Sequence, residues 1–161
     1  MKKLLSALAL VLVLTGLATT VAWAANSPDT AIGTWKLNLE KSKFHGDNTA
    51  LKAMTRTYSA GSAGTDMKVT GVAADGAAIS QSGTLTYDGK DCTVSGLAAY
   101  DTLSLTRVNG TTVKAVLKKD GKVVGHSTRS MSAGGKVMTI STAWKTDKGG
   151  TVHDVAVYDK Q

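Results

Sequence analysis

This chain has little that can be cross-linked, kinked or stacked. Among its 161 residues there is one cysteine, one proline and one phenylalanine, and aromatic residues make up 5%. A lone cysteine, Cys92, cannot close an internal disulfide, so stability must come from buried apolar surface. Cys92 reads as a buried, inert thiol, with an intermolecular bridge as the alternative. No basic run is longer than two residues, which excludes the compact basic patch that nucleic acid requires. No Gly-x-Ser-x-Gly elbow, phosphate loop or paired-carboxylate motif occurs, so no residue is assigned a catalytic role and an enzyme is unsupported. His45, His126 and His153 show no metal-binding spacing, and neither a metal nor a cofactor is expected.

The first 24 residues read as a leader. Met1-Lys2-Lys3 is basic, Leu4 to Leu17 is an apolar run, and Ala22-Trp23-Ala24 is a small-x-small site. That is the pattern of a cleaved secretory signal peptide, residues 1–24, followed by one domain at 25–161. The apolar run is short of the roughly 20 residues of a membrane span. The expected location is secreted or periplasmic, without stable membrane insertion after cleavage. Of 19 Lys and Arg, two fall in the leader and none of the 12 acids do, which leaves the mature chain at +5. The charge is spread out and reads as solvation, with a weak leaning towards anionic partners.

What the chain does have is glycine, 17 in all, punctuating short alternating segments. Gly33 to Asn38 is the first strand. Leu39 to Ala53 lacks alternation and reads as a lid, with Asn48 to Ala53 as one helical turn. From Met54 the period is two, with strands expected at 54–60, 66–73, 77–87, 91–95, 101–108, 112–118, 122–132, 136–144 and 151–159. Asn109-Gly110 is the strongest hairpin signal, matching a type I′ turn. About ten strands, nine of them joined by tight turns, favour an antiparallel up-and-down meander. So many twisted strands curl and close, which removes exposed edges. The expected fold is therefore an all-β, up-and-down antiparallel barrel, with a two-layer sandwich as the alternative. Trp35, at the start of the first strand, is the candidate plug of one barrel end.

Gly33-Thr34-Trp35 resembles the Gly-x-Trp motif of the calycins, the lipocalins and fatty-acid-binding proteins. Gly33 to Asn38 and Lys41 to Phe44 are similar to the opening of small exported bacterial lipocalin-like proteins. Val157 to Lys160 resembles the terminal strand of the fatty-acid-binding group. The resemblance implies a ligand-binding barrel. It also implies an Arg two residues before Tyr158, where this chain has Ala156, and an Arg before a late hairpin, where it has Arg129. In lipocalins an Arg packs on the motif Trp, so an Arg over Trp35 is a further implied use. Nitrobindins, haem-carrying barrels, also open with Gly-Thr-Trp, and His153 stands near their iron-ligating position, but their Gly-rich stretch after the Trp is missing here.

Arg107 and Arg129 fall on otherwise apolar strand faces. Inside a barrel, each would bind an anionic group or pair with an interior acid. Arg56 beside Tyr58 is a weaker candidate. Gln81, Tyr58, Tyr87 and Tyr158 could offer polar points in a pocket. With one Phe, Phe44, and few aromatics, a small or filled pocket is expected. The reading is a non-catalytic, exported binding protein for a small hydrophobic or amphipathic ligand, possible anions included. Its ligand-binding residues would be Arg129, Arg107, Tyr158 and Gln81, and entry would be near Leu39–Ala53. The alternative is a filled barrel acting through its surface, as an inhibitor or envelope-interaction protein. Oligomeric state is left open.

Overall fold

The computed structural model describes residues 29–45, 51–146 and 148–161; the leader and the cap residue Asn48 lie outside them. Ten strands make one closed antiparallel barrel: β1 (Gly33–Leu37), β2 (Leu51–Ala60), β3 (Thr65–Ala73), β4 (Ala78–Leu85), β5 (Asp88–Ser95), β6 (Thr102–Arg107), β7 (Thr112–Lys119), β8 (Lys122–Met131), β9 (Val137–Lys145) and β10 (Thr151–Lys160). Each strand pairs with its neighbours in sequence, and β1 pairs with β10 to shut the cylinder, with Trp35 opposite Lys160 and Leu37 opposite Tyr158. The expected meander is present and the two-layer sandwich is excluded.

Alternation puts the apolar residues inside. Met67 and Val69 of β3, Leu103 and Leu105 of β6, and Val113 and Leu117 of β7 are buried, while Lys68, Thr70 and Lys114 between them are exposed. Burying one face of every strand fixes the register, because a one-residue slip would turn each apolar set outwards. Cys92 is buried and unbridged.

Four local readings change. Leu51 to Ala53 belong to β2 and not to a helical turn, since pairing with β3 satisfies their backbone groups. Asp88-Gly89 does not end a hairpin but opens β5, at a bulge where Gly89 takes φ +80°. The two-residue loop with both φ positive is Asp120-Gly121, at 49° and 75°, which is the type I′ geometry. At Asn109-Gly110 neither residue takes positive φ. There the loop spans four residues, with Val108 N donating to Thr112 O and Asn109 Oδ1 accepting from Thr111 N. A bulge also sets Leu117 opposite Gly125 and Lys118 opposite Val123. It turns Val124 inward, where strict alternation would have placed Val123.

One end of the barrel is stoppered. Trp35 is fully buried and its Nε1 donates to Ala31 O at 2.6 Å, so the segment before β1 folds under the barrel. The cation over the indole is Lys160, with Nζ 5.2 Å from the ring centroid. Arg56 also faces Trp35, across the β1–β2 ladder, but its guanidinium lies over Tyr158, and Lys160 takes the place over the indole. Trp35→Ala should lower stability by about 3–5 kcal/mol, the cost of emptying a large core site, read from urea unfolding midpoints at unchanged m-value.

Candidate functional site

The strands enclose a lumen of about 660 Å³. Its lining includes Met54, Met67, Leu103, Leu105, Leu117 and Ile140. It reaches the end opposite Trp35, where Phe44, His45, Leu51, Lys145 and Thr146 make its rim. This is the end where β1 finishes and β2 begins. The low aromatic content is misleading about size: Phe44, Tyr58, Tyr100, Trp144 and Tyr158, five of the chain's eight aromatic residues, line the lumen.

The segment after β1 is tied to β10. Ser42 Oγ accepts from Val157 N, and Lys43 pairs with Val155. His45 N donates to Asp154 Oδ1 at 2.7 Å, and Trp144 Nε1 donates to Asp154 Oδ2 at 2.9 Å. Asp154 is buried and lines the lumen near its rim.

Arg129 faces inward, as its strand position suggested, and it has an interior acid. Its Nη2 donates to Asp29 Oδ1 at 2.6 Å; the two side chains are 8% and 0% exposed. Tyr87 OH donates to the other Asp29 oxygen, and the Arg129 guanidinium lies over the rings of Tyr58 and Tyr87. Burial, with help from Asp29, pushes the Tyr87 phenol up to about 12. Burial likewise raises Tyr100. Arg107 stacks on the Tyr87 ring at 4.7 Å and does not line the lumen. Gln81 is buried outside the lumen lining, accepting from Tyr100 OH at 3.1 Å. Tyr158 does line it.

Arg56, the lesser candidate, holds the centre. It lies on β2 opposite Trp35 and points into the lumen. Its Nε donates to Tyr158 OH at 3.0 Å, and its guanidinium sits 5.4 Å from the Tyr158 ring centroid. Met67 Sδ is 3.8 Å from Nη1. Among the described residues it has no carboxylate within ion-pair distance. Burial opposes its charge, but the oxygens of Tyr158, Tyr58 and Tyr100 outweigh burial and hold its pKa above the ordinary arginine value. So the position two before Tyr158 lacks an Arg, yet a guanidinium reaches the Tyr158 hydroxyl from β2.

His153 stands exposed on the outer wall between the lumen-lining Val152 and Asp154, so its ring has no route to an iron inside. No group of three or more His, Cys, Asp or Glu is gathered among the described residues. Asp29, Tyr100 and Asp154 escaped the sequence reading. Asp154 was detectable, two and four residues before Ala156 and Tyr158 on one face of β10; Asp29 lies outside any strand pattern.

The fold is a closed ten-stranded antiparallel barrel. A search of solved structures finds the zebrafish ileal bile acid-binding protein complexed with cholic acid, at 10% identity and TM-score 0.51, over 82% of this chain and 99% of that one. It also finds the siderocalin Ex-FABP, at 12% identity and TM-score 0.38, over 82% of this chain and 71% of that one. At 10% identity the likeness to the bile acid-binding protein shows the barrel fold alone. No protein-family model and no curated protein matches the chain.

Two outcomes follow for the Arg129 clasp. Asp29→Ala should cost about 3–5 kcal/mol, because it leaves a buried guanidinium uncompensated, and adding Arg129→Leu should recover part of that loss in urea unfolding. The phenol of Tyr87 holds its proton more tightly folded than unfolded. Its stabilisation is therefore complete below pH 10 and lost as the pH rises through about 12. Stability should fall across that window, and Tyr87→Phe should remove part of the fall, the remainder belonging to Tyr100.

Proposed function

We propose that this protein is an exported, non-catalytic carrier or sensor of a small amphipathic ligand, with the apolar body in the lumen and an anionic group against Arg56 and Tyr158. One observation carries the reading: a permanently charged guanidinium faces an apolar cavity with no carboxylate partner among the described residues. A buried cation without a counter-charge is costly, and an arriving anion removes that cost while its body displaces water from the apolar walls. The structural neighbour complexed with cholic acid is consistent with a ligand of that general shape. The rim beside Phe44, His45 and Leu51 is the proposed entry. Export is part of the proposal and is supported by the leader-like first 24 residues. Arg129 contributes to the wall, but its charge is already taken by Asp29. A barrel acting only through its surface would have no use for a cavity of about 660 Å³.

Titration with anilinonaphthalene sulfonate, an aromatic anion that fluoresces on leaving water, tests this. The protein should bind it, and Arg56→Gln should weaken binding at least about tenfold, or about 1.4 kcal/mol, with the unfolding midpoint not lowered. Equal affinity in the variant would remove Arg56 from the site.

A further inference from the structure

Two guanidiniums reach the lumen wall, and they are in opposite states. Arg56 is open. Arg129 is occupied, because the segment before β1 carries Asp29 up through the stoppered end. Asp29 has both oxygens engaged, by Arg129 Nη2, by Ala31 N at 3.0 Å and by Tyr87 OH. It stands where the acid group of a ligand would have to sit to reach Arg129. Being part of the chain, it is present there at an effective concentration that a free ligand does not match.

A second acid guards the other end. Asp154, Ala156 and Tyr158 follow one another on the inward face of β10, all lining the lumen. Four residues of strand place Asp154 about 13 Å along β10 from Tyr158. Its oxygens accept from the His45 backbone and the Trp144 indole, both neutral donors. Among the described residues no Lys or Arg pairs with it; Lys145, also at the rim, is exposed to water. A ligand whose inner acid meets Arg56 and Tyr158 would bring any second acid, one chain length outward, level with Asp154. There it would meet a like charge at Asp154, while the cation of the lining at that level, Lys145, stands exposed to water at the rim.

We propose that the lumen selects ligands carrying a single negative charge at their inner end, and that Asp29 and Asp154 set that selectivity. Asp29 cancels the second lumen cation, and Asp154 rejects a second anion near the rim. The inference rests on the amphipathic-anion reading given above and specifies its ligand class.

The test is displacement of anilinonaphthalene sulfonate from the full chain by three ten-carbon probes: decanol, decanoate and decanedioate. Decanedioate is matched in length to the Asp154–Tyr158 spacing. Decanoate should displace best, and decanedioate should be at least about tenfold weaker. Asp154→Asn should bring decanedioate closer to decanoate. Decanedioate equal to decanoate in the parent protein overturns the selectivity, and that comparison needs no variant to fold. An unchanged ratio in Asp154→Asn removes Asp154 from the proposal. Decanol as good as decanoate would overturn the role of Arg56 while leaving an apolar carrier. Failure of all three probes to displace would overturn the carrier reading and the selectivity together.

Discussion

The antiparallel contact between β1 and β10 is the one on which the molecule depends. Without it there would be a curled sheet with two raw edges; with it there is an inside. The contact is short, with Trp35, Lys36 and Leu37 opposite Lys160, Asp159 and Tyr158. It is extended by Asn38 N on Val157 O, by Lys43 on Val155 and by Gln161 N on Thr34 O. The same few residues supply the stopper and one wall of the proposed anion site. Closing the cylinder and building the site are therefore one event, because Tyr158 reaches Arg56 only when its strand lies beside β1.

An apolar cylinder that contains guanidiniums has to answer them. This barrel does so in two ways. At Arg129 it supplies its own carboxylate and two aromatic faces, making a clasp that serves stability. At Arg56 it supplies hydroxyls, a thioether and a ring, which orient the cation without neutralising it. The contrast between a satisfied and an unsatisfied cation is what gives the lumen a direction, with its positive centre deep and its acid near the rim.

Much of this could be read from residues. The Gly-Thr-Trp start, the period-two faces and the glycine turns led to a closed meander because each is a local signal with a local cause. The site was read less well. Arg129 showed itself as a charge on an apolar face, and it does point inward, but its partner Asp29 is 100 residues away and carries no pattern of its own. Arg56 was undervalued because its strand, Leu51–Ala60, alternates poorly, with Lys52 and Ala53 both exposed. The sparse aromatic content suggested a small pocket, yet composition says nothing of placement, and five aromatics converge on one cavity. Asn109-Gly110 illustrates the limit of turn signals: a dipeptide that can adopt a type I′ turn was given a longer loop, closed by the Asn side chain.

The ladder between β4 and β5 has only two register pairs, Ser82 with Ser95 and Gly83 with Val94, the fewest of any adjoining strands. Gly83 is needed there, since a Cβ would come within 2.7 Å of the Val94 side chain and 2.9 Å of Thr93 O. The two shortest ladders, β4–β5 and β1–β10, divide the wall into β1–β4 and β5–β10. Local opening is cheapest where fewest backbone bonds are broken. The line between β4 and β5 is therefore where the cylinder can widen with least loss of backbone pairing, and the Asp29 clasp, which includes Tyr87 of the β4–β5 connection, ties that line at the stoppered end.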